Sequence, residues 1–289
     1  MSRALAAVGF GRGRLAEAGL DPKVIEEHRQ RIHRHRDELG TFHGLGECIV
    51  SDGKVVYLDL CGFADKENGM KMTERTLFRG NSLMKPMTAT AFMTLVEEGR
   101  VGLDDPVSRY IPKFASVKVR SKNGSGVQPL KKTLTLRHLL VHTSGLGYGP
   151  GLNVQGRVIA RTVSEKTYKN IAIAAQNGEI KTLEEFCDAL CEKPLLFQPG
   201  TRYEYGYGMD VIGRVVEVVT GQPLNQVIQE RVLTPTGMLD ACWDVPRSEA
   251  RRLSSYHRLV RARTWHRPMA GRKGWSTDMQ DRKERSKRH

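Results

Sequence analysis

The sequence predicts an α+β fold, an antiparallel sheet flanked and followed by helices, from three observations. Two strand-like runs, Gly46–Val50 and Lys54–Leu60, flank a tight-turn signal, Ser51-Asp52-Gly53, and so read as a β-hairpin. A long apolar helix is expected from Ser82 to about Glu98. Further helical segments follow it, with no second strand alternation among them. The chain of 289 residues, 39% hydrophobic and 27% charged, is long enough to bury a sizeable core.

Taken in order, residues 21–39 form the first expected helix, with Val24, Ile25 and Ile32 on one side. The basic run His28–Arg36 is read as its wet face rather than as a metal or nucleic-acid site. After the hairpin comes the helix from Ser82. Met87, Ala91, Met93, Leu95 and Val96 are among its apolar positions, and Gly99 stops it. Pro86 falls in the first turn, where its missing N–H costs little. Residues 121–132 read as a polar loop, and Thr135 as the N-cap of a helix through Leu139 and Leu140. Residues 147–180 read as irregular. Thr182–Leu190 and Met209–Val219 read as helices, the latter ended by Gly221.

Composition excludes several classes. No stretch approaches the roughly eighteen consecutive apolar residues of a membrane span, and the N-terminus lacks the pattern of a secretory signal. Five cysteines, an odd count, point to a reducing compartment. A cytoplasmic location is expected, with a mitochondrial one as the alternative because Arg3, Arg12 and Arg14 precede the first acid, Glu17. Cys187 and Cys191 share a helix face without a nearby histidine and read as small buried side chains. The net charge is +14, but Arg258–His289 holds eleven Lys/Arg against three Asp/Glu, so +8 belongs to this segment. It lacks aromatic interleaving and any binding motif, and reads as a solvated tail rather than a nucleic-acid surface.

A serine hydroxyl becomes a nucleophile when a neighbour takes its proton. A lysine three residues later on a helix lies on the same face and can reach it. Burial and neighbouring charge would be needed to keep that lysine largely neutral. Two Ser-x-x-Lys runs occur. Ser51–Lys54 belongs to the hairpin turn. Ser82-Leu83-Met84-Lys85 opens the long helix, whose first N–H groups suit a developing oxyanion.

The segment Phe78–Pro86, continuing into Leu95–Gly99 and Leu103–Val107, resembles the nucleophile region of the β-lactamase-related serine hydrolases (class C β-lactamases, penicillin-binding proteins and family VIII esterases). Leu136–Leu146, Phe197–Gly208 and Gly213–Gly221 follow in that family's order. The resemblance covers roughly residues 21–247. It implies a β-lactamase/transpeptidase-like fold and Ser82 as nucleophile, with Lys85 and Tyr205 moving protons. Tyr205-Gly206-Tyr207 stands where the family has Tyr-x-Asn. With Tyr207 in place of the asparagine, the expectation tilts from β-lactams toward esters. His138 and His142, four apart, have a spacing that could suit a metal, but the resemblance places His142 in a structural turn with Thr143, Ser144 and Gly145; no metal and no cofactor is expected.

The resemblance also implies a third motif, His/Lys-x-Gly or Trp-x-Gly, on a late strand beside the oxyanion hole. The nearest imitation, Arg272-Lys273-Gly274-Trp275, has the wrong spacing. The C-terminal sheet strands are therefore expected to be missing, leaving the hairpin with an unpaired edge. The basic tail reads as the mark of a truncated or frame-shifted reading. The expected organisation is an extension over 1–20, an incomplete serine hydrolase domain over 21–247 and a basic, disordered tail over 248–289. The expected function is hydrolysis of an ester or amide of a small-molecule substrate through an acyl-enzyme on Ser82. The alternative is an inactive homologue acting at most as a binding protein. The oligomeric state is left open.

Overall fold

Asp21 and Pro22 start the first helix for a local reason. The Asp21 carboxylate accepts from the Lys23 amide at 2.8 Å, and Pro22 occupies a position whose N–H has no helical partner anyway. A computed structural model describes residues 11–121, 126–148 and 162–255, and the short strands 258–259 and 265–266. These fall into two compact units. The first joins the residues up to Gly80 with the described residues from Leu233 on; the second is Asn81–Val232. Residues 1–10 of the expected extension and most of the expected tail lie outside the described residues.

In the first unit, β1 (Gly11–Arg12) pairs in parallel with β3 (Lys54–Asp65), and β2 (Gly44–Ser51) pairs antiparallel with β3. β4 (Met70–Lys71) pairs with the far end of β3. The hairpin turn is built by Asp52 and Gly53, at φ of 47° and 66°, the left-handed pair that matches strand twist. The strands run further than the sequence pattern indicated because Gly44 and Gly62, directly opposed, let the backbones close in. A Cβ at either would strike the facing main chain. Among the described residues β2 is an edge of this sheet. Farther along, Leu253 bridges Leu77 in parallel, Arg79 donates to the Ser254 carbonyl at 2.7 Å, and the Ser255 amide donates to the Ala64 carbonyl of β3 at 2.9 Å.

Helix α1 (Pro22–Asp37) packs on β3 and corrects one expectation. Its histidines do not form the wet face. His28 Nε2 lies 3.0 Å from Glu47 and His33 Nε2 lies 2.7 Å from Asp59, while Val24 is exposed. The sheet explains this. Glu47 and Asp59 are cross-strand neighbours in the β2–β3 register, so the face that α1 covers is polar and selects the basic side of the helix.

The second unit is built around two helices. α2 (Met84–Glu97) buries Thr88, Ala91, Phe92 and Leu95, spaced three and four apart, and packs on a later helix, Gly208–Thr220. Short strands β5 (Val119–Arg120) and β6 (Val127–Gln128) pair in the region expected to be a loop. Next, α3 (Leu136–Leu140) starts at Thr135, whose amide donates to His138 Nδ1 at 3.2 Å. His138 therefore caps a helix.

A second correction falls at residues 147–180. Val163–Asn177 is α4, a 15-residue helix burying Tyr168, Ile171, Ala172 and Ala175. Thr162 and Glu165 cap it reciprocally, and Gly178, at φ 73°, ends it. Residues 149–161 lie outside the described ones. Then α5 (Leu183–Cys191) buries Cys187 against α6 (Gly208–Thr220), whose Val211, Ile212, Val215 and Val216 meet α2 and α5 at the centre of the unit. Each such fully buried side chain contributes about 1.5–3 kcal/mol. Gly213 is needed where α7 (Leu224–Ile228) begins, since a Cβ there would come within 2.8 Å of the Leu224 side chain. Among the described residues no helix is long and apolar enough to cross a membrane. The fold is α+β, with small sheets and many helices.

Candidate active site

Ser82 sits in a single 3₁₀ turn, Asn81–Leu83, that feeds directly into α2. Asn81 adopts φ 44°, a left-handed conformation that asparagine tolerates better than most side chains. The turn leaves Ser82 exposed at the head of α2, where the first N–H groups lack helical partners. Lys85 follows one turn on, and its Nζ donates to Ser82 Oγ at 3.4 Å.

Tyr205 comes from the segment leading into α6, and its hydroxyl donates to Ser82 Oγ at 3.0 Å. The structure thus brings Ser82, Lys85 and Tyr205 together within the second unit. A fourth member, Tyr148, was not singled out in the sequence: Lys85 Nζ donates to its hydroxyl at 3.1 Å. Its signal was present, since Tyr148 directly follows the Gly145-Leu146-Gly147 turn.

Close backbone contact sets this arrangement. A Cβ on Gly206 would strike the Leu146 carbonyl and the Gly147 backbone, so the segments carrying Tyr148 and Tyr205 can touch only because Gly206 lacks a side chain. The rings of Tyr148 and Tyr205 lie 5.4 Å apart. His142, at φ 56°, holds the second segment: its carbonyl accepts from the Glu204 amide at 2.9 Å, and its ring packs 4.7 Å from Tyr205. Burial and the Lys85 charge hold the His142 imidazole below its ordinary range, which keeps Nδ1 free to accept from the Gly206 N–H at 3.5 Å. Tyr207 is buried, its ring 4.5 Å from Tyr148 and 5.0 Å from Phe186.

The electrostatics differ from the expectation of a neutral lysine. Burial pushes Lys85 down, but its hydrogen bonds to Tyr205 and Tyr148 outweigh that, and the net shift is upward. Tyr205 moves the other way, lowered first by its bond with Lys85 and then by that with Ser82. The environment therefore favours an ammonium beside an acidified phenol. Tyr148 is raised by burial, so it stays protonated. Asp210, in the first turn of α6, is raised by burial to about 6, against the pull of Lys85.

Comparison with known proteins gives the chain's relatives. The Beta-lactamase family model matches residues 30–281. Protein Rv1367c of Mycobacterium tuberculosis is 32% identical over 225 residues, covering 77% of this chain and 53% of the relative. Esterase EstB of Burkholderia gladioli is 37% identical over 209 residues, covering 72% and 49%. Among solved structures, EstCE1, described as a hydrolase with promiscuous acyltransferase activity, superposes with a TM-score of 0.68 at 27% identity, covering 86% of this chain and 60% of that one. The chain spans about half the length of the curated relatives it matches.

Proposed function

The chain belongs to the beta-lactamase family, and from that premise we propose that it is a serine hydrolase that cleaves esters through an acyl-enzyme on Ser82. The observation that carries the reading is the convergence on Ser82 Oγ of the Tyr205 hydroxyl at 3.0 Å and the Lys85 ammonium at 3.4 Å. A hydroxyl so placed can pass its proton to the Tyr205 phenolate, the form that the adjacent ammonium stabilises.

In this mechanism Tyr205 in its phenolate form accepts the Ser82 proton while Oγ attacks the ester carbonyl. Lys85 stays charged and stabilises the phenolate, with Tyr148 accepting its second hydrogen bond. The oxyanion forms near the N–H groups at the head of α2. Tyr205 then gives the proton to the departing alcohol, leaving Ser82 acylated. A water molecule repeats the sequence: Tyr205 takes its proton, hydroxide adds to the acyl carbon, and the proton returns to Ser82 as the acid leaves.

The preference for esters over β-lactams rests on Tyr207. Its ring is packed against Tyr148 and Phe186, so the position offers no side-chain amide to a β-lactam substituent. The esterase among the relatives agrees with this choice.

The test is mass spectrometry of the protein after exposure to a fluorophosphonate, followed by turnover of short-chain aryl esters. Covalent addition to wild type and none to Ser82→Ala is the expected outcome. Equal labelling of both proteins would refute the choice of nucleophile. A folded wild-type chain that takes no label would favour an inactive homologue that only binds its ligand.

A further inference from the structure

The face between α1 and the sheet of the first unit carries a group of side chains unrelated to Ser82. His33 from α1, and Asp59 and Cys61 from β3, place one imidazole nitrogen, one carboxylate oxygen and one sulfur all within 4.8 Å of one another. The placement follows from the elements. Asp59 and Cys61, two apart on a strand, share one face, and α1 lies across it with His33 turned inward. We propose that His33, Asp59 and Cys61 form a binding site for a divalent transition metal of the zinc class.

A His–Asp hydrogen bond alone would be an ordinary surface pair. The thiol changes the chemistry, because nitrogen, carboxylate and sulfur donors together select borderline-soft ions such as Zn²⁺ over Mg²⁺ or Ca²⁺. Charge also balances. A neutral imidazole, a carboxylate and a thiolate cancel a dication, and binding releases the Cys61 proton to solvent. Arg36 donates to the Cys61 sulfur, and its own charge is matched by Asp37 through a bond at 2.7 Å.

Access and coordination fit as well. Cys61 is buried, whereas the side chains of His33 and Asp59 keep 27% and 13% of their surface, so an ion can enter from one side and hold a water there. His33 Nε2 and Asp59 Oδ2, now 2.7 Å apart, need to part by only about half an ångström to sit as neighbouring ligands of a tetrahedral ion. Tyr57, on the same strand face, buries a hydroxyl with no hydrogen-bond partner, a polar group open to that water.

The experiment titrates the full metal-free chain with Co²⁺ under reducing conditions and then displaces it with Zn²⁺. One equivalent should bind with a thiolate-to-cobalt charge-transfer band, and Zn²⁺ should abolish the band. Cys61→Ser should lose the band, and His33→Gln should weaken Co²⁺ affinity by about tenfold or more. Ser82→Ala should bind as wild type, which separates this site from the hydrolase reading. Absence of a stoichiometric band, or a band and affinity unchanged in His33→Gln, would overturn the proposal. Should Cys61→Ser fail to fold, His33→Gln decides alone, since His33 is partly exposed on a helix surface.

Discussion

Tyr205 and Lys85 shift in opposite directions, and that opposition divides the labour at Ser82. Tyr205→Phe keeps the ring against His142 and removes the proton acceptor; kcat/KM for an aryl ester should drop by about 10²–10⁴ with the fold intact by circular dichroism. Lys85 is held up in part by Tyr148, so Tyr148→Phe should move the alkaline limb of the pH–rate profile to lower pH, as the ammonium is lost earlier. A limb that stays in place would mean that Tyr148 does not act through Lys85. Asp210 gives a stability prediction. Its folded value of about 6 lies above the ordinary 3.8, so the stability it contributes is full below about 4 and is lost as pH rises through 6. Asp210→Asn should therefore gain in melting temperature relative to wild type between those values, and an unchanged difference across that window would contradict this.

At the scale of elements, the helices declared themselves where a cap and an apolar stripe agreed. Thr135 and Thr182 did so, as did the Gly221 stop. α4 carried the same grammar, Thr162 before it, Glu165 in its first turn and Gly178 after it, but charged residues crowd its first two turns and hid its apolar stripe. The orientation of α1 was not legible at all. Its direction is decided by Glu47 and Asp59 on a strand far along the chain, and apolar periodicity within the helix cannot report that. Of the site, Ser82, Lys85 and Tyr205 could be named from motifs. Tyr148 and the charge state of Lys85 depend on a backbone crossing at Gly147 and Gly206 that no local pattern records. The capping argument is measurable: Thr162→Ala should cost about 1 kcal/mol in urea unfolding. No loss would mean that tertiary packing alone holds the start of α4.

Across the molecule, the second unit makes its core and its candidate site from the same two helices. Ser82 stands at the head of α2 and Tyr205 just before α6, and the packing of Phe92 and Leu95 against the α6 side sets how those two ends meet. A hydroxyl pair at 3.0 Å leaves little room for the helices to slide, so geometry at Ser82 should be lost when that packing is lost. Phe92→Ala, which empties a fully buried position, should cost about 3–5 kcal/mol. That is a large share of the about 5–15 kcal/mol that stabilises a typical domain. With fluorophosphonate labelling followed along a urea series, Ser82 reactivity and the near-ultraviolet tertiary signal should disappear in one transition, shifted to lower urea in the variant. Reactivity that outlasts the tertiary signal would show that Ser82 is activated by local structure alone, and the link between helix packing and catalysis would have to be given up.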